Sequence, residues 1–235
     1  MKKSWVLVID SGMGGLWTLN KIKEVLPNES YIYFMDKVNS PYGNKPRKKL
    51  ERIADEILAK ITRVFNIKLV VLACNTLSSI VYDFLTKRYI NLPIVKISPF
   101  VDAKVLGKNQ TLVLATKNTI NINADLKKYQ NIDNIHLFGF GTLAKKIDKN
   151  MQNLDVLLPF LSKKLKKFKN FGIKNILLGC THFNYIVPQL QKIFGDDVCF
   201  FENSGQVAKS VFMELKAKNK LSKQKGGETL VVFKI

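Results

Sequence analysis

The chain repeats itself. Displaced by 106 residues, the separation of Cys74 from Cys180, its apolar runs fall on one another without a gap. Val6-Leu7-Val8-Ile9-Asp10 falls on Leu112-Val113-Leu114-Ala115-Thr116, and Ile32-Tyr33-Phe34-Met35-Asp36 falls on Phe138-Gly139-Phe140-Gly141-Thr142. The run from Ile67 to Thr76 falls on the run from Ile173 to His182, cysteine on cysteine. Pro93 to Ser98 falls on Cys199 to Ser204, serine on serine. Coincidences at one offset mark a duplicated structural unit, and they restrict the chain to folds with two halves of like construction.

Each half alternates apolar runs with amphipathic stretches, for example 47–65 and 151–169. Runs of about five consecutive apolar residues fit strands covered on both sheet faces. Strand and helix in alternation predict parallel sheets with right-handed crossovers. The expected fold is therefore α/β: two pseudo-symmetric three-layer domains with mainly parallel sheets and an active site in the cleft between them. The first domain is expected to hold residues 1–97 with 205–235, and the second residues 98–204. Thr229 to Ile235 read as a further strand packed back on the first domain.

In such sheets ligands bind beyond the carboxyl ends of the strands. Those ends carry Asp10-Ser11, Asp36, Cys74-Asn75-Thr76, Thr116 and Cys180-Thr181-His182. A pseudo-twofold axis between the domains brings Cys74 and Cys180 to two sides of one cleft.

Charge bears on the choice of partner. Lysine and arginine number 38 against 18 aspartates and glutamates, a net charge of +20. The excess is almost all lysine, because Arg47, Arg52, Arg63 and Arg88 are the only arginines. Specific nucleic-acid recognition recruits arginine forks, so the expectation is a solvated lysine surface that attracts acidic small molecules and binds no specific nucleic acid. The opening Met1-Lys2-Lys3 and its apolar sequel imitate a signal peptide, but Asp10 and Gly12 interrupt the run. No later run approaches the roughly 20 residues of a membrane span. A soluble, cytoplasmic chain without a membrane partner is expected.

Three cysteines, odd in number and widely spaced, make no disulfide framework, and no cysteine–histidine cluster calls for a metal. Cys199, in Val198-Cys199-Phe200-Phe201, reads as a small buried hydrophobe. His136, on the flank of a strand, reads as structural.

Asp10-Ser11-Gly12-Met13-Gly14-Gly15 is a strand end, a glycine-rich turn and a helix start, with Asp10 or Ser11 as the expected cap. Unpaired N–H groups there suit a carboxylate. A thiol at a helix N-terminus favours the reactive thiolate, which applies to Cys74 and to its twin Cys180. A symmetric pair of thiols fits acyl transfer poorly, since that chemistry uses one nucleophile with its base. It fits stereoinversion well: one thiolate removes a Cα proton while the other thiol delivers one to the opposite face. A dithiol redox couple is the competing chemistry.

Taken in order, Asp10-Ser11-Gly12-Met13-Gly14-Gly15-Leu16, Asp36 with Pro41-Tyr42-Gly43, Ala73-Cys74-Asn75-Thr76, Leu178-Gly179-Cys180-Thr181-His182-Phe183 and Asn203-Ser204-Gly205 resemble the glutamate racemases. The resemblance runs from near residue 5 to about residue 211. It implies that Cys74 exchanges the Cα proton of the D-enantiomer and Cys180 that of the L-enantiomer, assisted by Asp10 and His182. It implies that Asp10, Ser11, Pro41, Tyr42, Gly43, Asn75, Thr76, Thr116, Thr119 and Thr181 hold the amino acid. It also implies no metal or pyridoxal phosphate, a product that feeds peptidoglycan, and a fold that admits a homodimer. The segment Lys37-Val38-Asn39-Ser40 lacks the alanine and arginine usual in the family, and Leu77 and Asn184 replace its small residue and its proline. Asp148 is the candidate for the family's assisting glutamate. Racemisation of another amino acid such as aspartate, and a non-catalytic lysine-rich binding protein on the same scaffold, are the rival readings.

Overall fold

A computed structural model describes residues 3–233. The first half runs β1 (Trp5–Asp10), α1 (Gly15–Val25), β2 (Tyr31–Met35), α2 (Arg47–Val64), β3 (Ile67–Leu72), α3 (Asn75–Arg88) and β4 (Ile94–Lys96). The second runs α4 (Ala103–Leu106), β5 (Gln110–Thr116), α5 (Lys117–Ile122), α6 (Ala124–Lys127), β6 (Ile135–Phe140), α7 (Leu143–Lys149), α8 (Leu158–Leu165), β7 (Ile173–Gly179), α9 (Val187–Phe194) and β8 (Cys199–Phe201). The chain then returns through α10 (Ser204–Ala217) to β9 (Thr229–Phe233).

Two sheets result, in the orders β4-β3-β1-β2-β9 and β6-β5-β7-β8. Read from β8, the second repeats the first without its added strand. The pairings are parallel, and each central strand has a register shift near its start, at Trp5/Val6 against β3 and, within one residue of the equivalent position, at Gln110/Thr111 against β7. The expected tail strand is present as β9, parallel to β2. Residues 234 and 235 of that expectation, and Met1-Lys2 of the opening segment, lie outside the described residues.

Burial on both sheet faces explains the continuous apolar strands. Every residue of β1 is buried. On one face of the first sheet Leu7 and Ile9 meet α2 and α3; on the other Val6 and Val8 meet α1 and α10. Each such side chain contributes about 1.5–3 kcal/mol on leaving water. Helix α2 buries Leu50, Ile53, Ala54, Ile57, Leu58 and Ile61, the three- and four-residue spacing that puts one stripe on the sheet. The second sheet is covered in the same way on both faces. The fold is α/β with two three-layer units. The crossings between them touch where Asn203 Nδ2 donates to the Phe100 carbonyl at 2.8 Å.

The structure departs from the sequence reading in three places. The stretch 151–169 is not one helix: a short turn at Leu154–Leu157, α8 and a further turn at Lys166–Phe171 share it. Asn153 caps the first turn through the Asp155 amide, and Pro159, which lacks an N–H, sits in the first turn of α8. The second correction concerns Cys199, which is exposed. It opens a three-residue edge strand, and alternation buries Val198 instead. Third, neither Asp10 nor Ser11 caps α1; the cap position is Gly14 and no side chain bonds there. His136 is structural as expected, its Nε2 2.7 Å from Gln110 Oε1 across β5 and β6. Among the described residues no helix is long and apolar enough to cross a membrane.

Candidate active site

The carboxyl ends of both sheets converge on a small cavity, and both Cys74 and Cys180 line it. Each thiol stands where a strand hands over to a helix. Cys74 is the N-cap of α3, and Cys180 is the N-cap of the turn Thr181–Ile186 that leads into α9. The two positions are equivalent under the repeat, so the cavity has one sulfur from each unit.

Their surroundings differ. On the Cys180 side the sulfur lies 4.0 Å from His182 Nδ1, and His182 Nε2 lies 3.1 Å from Asp148 Oδ1. The carboxylate contact is close but off the line of a hydrogen bond, so charge joins the pair. Burial works against a charge on His182, yet Asp148, Cys180 and Asp10 outweigh it and hold the imidazolium well above its ordinary range. On the Cys74 side the neighbours are Ser11, with Oγ 3.9 Å from Sγ, and Asp10. Burial first and the Asp10 charge second push the Cys74 thiol well up, against the Leu77 amide and Ser11. The thiolate expected at Cys74 from the helix N-terminus is thus not favoured: desolvation exceeds what the helix end supplies.

Asp10 is fully buried, and burial pushes its carboxyl up against the opposing pull of His182 and two hydrogen bonds. Gly12 N donates to Oδ1 at 2.8 Å, and Thr181 Oγ1 donates to Oδ2 at 3.2 Å, from the other unit. The glycines of this loop have a role that their spacing alone does not reveal. A Cβ on Gly14 would stand 2.5 Å from Thr181 Oγ1 and 2.8 Å from the His182 amide nitrogen, and one on Gly12 would stand 2.8 Å from His182 Nε2. They let the Asp10 loop press directly against the Cys180 loop, a use of glycine for close approach. Tyr33 Oη, donating to the Gly12 carbonyl at 2.6 Å, fixes the loop from below.

A second junction is built from hydroxyls. Thr76, Thr116 and Thr119 are buried with Oγ1 atoms 2.9–3.2 Å apart, joining α3 to the start of α5. The Pro41-Tyr42-Gly43 turn lies beside them. Tyr42 Oη donates to Asp36 Oδ2 at 2.7 Å, Asn44 Nδ2 donates to the Gly141 carbonyl at 2.8 Å, and Asn118 Nδ2 donates to the Lys45 carbonyl at 2.9 Å. Both units therefore close this wall of the cavity.

Of the residues expected to hold substrate, Ser11, Pro41, Tyr42, Gly43, Thr76 and Thr116 line the cavity. Thr119 and Thr181 stand behind it and bond to Thr76 and Asp10. Asn75 is buried with its Oδ1 unpartnered, off the cavity lining. Phe140, Gly141, Ala144 and Lys145 line it and were missed. Their signal was faint: they flank Thr142, the second unit's counterpart of Asp36, and only Phe140 falls there on a like residue, Phe34.

No family model matches the chain. The glutamate racemase of Buchnera aphidicola subsp. Schizaphis graminum is 33% identical over 213 residues, covering 88% of the chain and 83% of that relative. The glutamate racemase of Francisella tularensis, solved with D-glutamate, is 26% identical with a TM-score of 0.81, covering 99% of the chain and 88% of that protein. The Bacillus anthracis glutamate racemase shares the fold at a TM-score of 0.85 and 24% identity, over 99% of the chain and 89% of its own length. Fold and matches together define an α/β amino-acid racemase, a class of isomerase. Within that class, the chain belongs to the glutamate racemase family.

Proposed function

We propose that this protein interconverts L- and D-glutamate by proton exchange at Cα between two thiols, Cys74 and Cys180, without a cofactor. The observation that carries the reading is one cavity with an equivalent cysteine from each half of a duplicated fold. A Cα proton is lost from one face and regained on the other, so inversion needs an acid and a base on two sides of the substrate.

The unequal surroundings of the two thiols support different starting roles for them. A thiolate formed at Cys180 has the His182 imidazolium beside it and Asp148 behind, and takes the proton from L-glutamate. The electron pair left at Cα is held by the α-carboxylate, and the protonated Cys74 thiol, kept so by burial and Asp10, delivers its proton to the other face. Afterwards Cys180 is the thiol and Cys74 the thiolate, which is the starting point for the reverse reaction. Asp10 and His182 assist the two sulfurs. Ser11, Pro41, Tyr42, Gly43, Thr76 and Thr116 hold the substrate, with Asn75, Thr119 and Thr181 supporting them.

The division into residues 1–97 with 205–235 and 98–204 belongs to the same proposal; α10 packs on α1 and β9 pairs with β2, which supports it. The product would supply peptidoglycan synthesis in the cytoplasm. The test is an assay of purified protein with either enantiomer and no additive. Progress to the same mixture from both sides is expected; a protein with intact thiols that leaves both enantiomers unchanged overturns the proposal.

A further inference from the structure

We infer that Lys145 is the residue that selects an acidic side chain in this cavity, an inference that rests on the cavity being the amino-acid site proposed above. Helix α7 is short, and its faces divide sharply. Leu143 and Ile147 are buried in the second unit's core. One step round the helix, Ala144 and Lys145 line the cavity, and Asp148, one turn further, meets His182. Residues three and four apart share a helix face, so α7 presents both a cation and an anion to the site.

Charge bookkeeping then singles out the lysine. The ionisable groups lining the cavity are Tyr42, the two thiols, His182 and Lys145. Burial and Asp36 keep Tyr42 neutral. His182 is committed to Asp148 and Cys180. Lys145 is exposed and enters no ion pair among the described residues, so its ammonium is free for a ligand. An acidic amino acid brings two carboxylates and one ammonium. The hydroxyls and amides of the cavity can take one carboxylate as neutral donors; the second gains most from a full charge. A lysine supplies that charge on a flexible stem with three donors. Lys117 adds to the local field from beside Gly141, where its Cε lies 3.6 Å from the position of a Cβ.

The test is calorimetric titration of the full chain and of Lys145→Gln and Lys145→Arg variants with L-glutamate and with L-glutamine. Wild type is expected to bind glutamate more tightly than its amide. Lys145→Gln should weaken glutamate by about tenfold or more while leaving glutamine unchanged, and Lys145→Arg should keep the preference, as loss of one charge-assisted contact requires. Unchanged glutamate affinity in Lys145→Gln, equal losses for both ligands, or no preference in wild type overturns the inference. Racemisation is followed separately on the same samples. Selective binding without turnover would refute the proposed reaction and leave Lys145 as the selector; turnover with an indifferent Lys145 would do the reverse.

Discussion

Asp148 Oδ1 stands 3.1 Å from His182 Nε2, and the other nitrogen of that ring faces Cys180. The two cysteines are twins by position, yet only one has an imidazolium with a carboxylate behind it. On the proposed mechanism that asymmetry makes Cys180 the base toward L-glutamate. Asp148→Asn should slow deprotonation of L-glutamate by roughly tenfold, the effect of removing the charge behind the imidazolium. The alkaline limb of its pH–rate profile should move to lower pH. The same pair affects stability. Because the folded value of His182 is raised, its contribution is complete below the ordinary imidazole range and is lost as pH rises through the raised value. Melting temperatures measured across that range should show the loss in wild type and little of it in the variant.

Asp10 has the opposite consequence. Its carboxyl is raised by burial above the ordinary 3.8, so the folded state resists its ionisation. That deficit is absent in acid, grows as pH rises through the ordinary value and persists above the raised one. Asp10→Asn can still accept from Gly12 and can donate to Thr181. It should therefore melt higher than wild type at neutral pH, with the gain disappearing in acid, while racemisation falls. A variant that melts lower at neutral pH would contradict the assignment.

Gly14 tests the contact between the two site loops. Gly14→Ala places a methyl against Thr181 and the His182 backbone, neither of which can swing away as a long side chain could. A loss of about 2 kcal/mol is expected from overpacking of this kind, together with loss of activity, measurable by urea unfolding and by turnover.

Thr116 is the hub of the hydroxyl cluster that joins α3 to α5. Thr116→Val keeps the volume but leaves Thr76 and Thr119 short of a partner. About 1–2 kcal/mol should be lost, and the KM for glutamate should rise because Thr116 also lines the cavity.

Thiol reactivity should follow exposure. Iodoacetamide should modify Cys199 first, with Cys74 slow because its thiol is buried and pushed up. Peptide mass spectrometry over a time course reads the order directly.

The fold was legible because the repeat survives in apolar pattern where identity is lost. Strand ends followed from the same runs, and those ends locate Asp10, Cys74 and Cys180. What the pattern does not carry is contact across the cleft. Gly12 and Gly14 look like an ordinary turn until His182 is set against them. Lys145 looks like one lysine of many until α7 is rotated to bury Leu143 and Ile147. Cys199 misled for a related reason: an apolar neighbourhood in sequence does not say which side of a short edge strand is covered. The helix expected at 151–169 failed at Asn153 and Pro159, where local capping chemistry overrode the amphipathic period.

The central claim is that two thiols act on two faces of one substrate, and isotope exchange during the first turnovers tests it most directly. With L-glutamate in deuterium oxide, the D-glutamate formed early should carry solvent deuterium at Cα while the recovered L-glutamate remains protonated, and Cys74→Ser or Cys180→Ser should nearly abolish the conversion. Deuterium entering recovered L-glutamate as fast as it enters the product, or full racemisation by both variants, would contradict it.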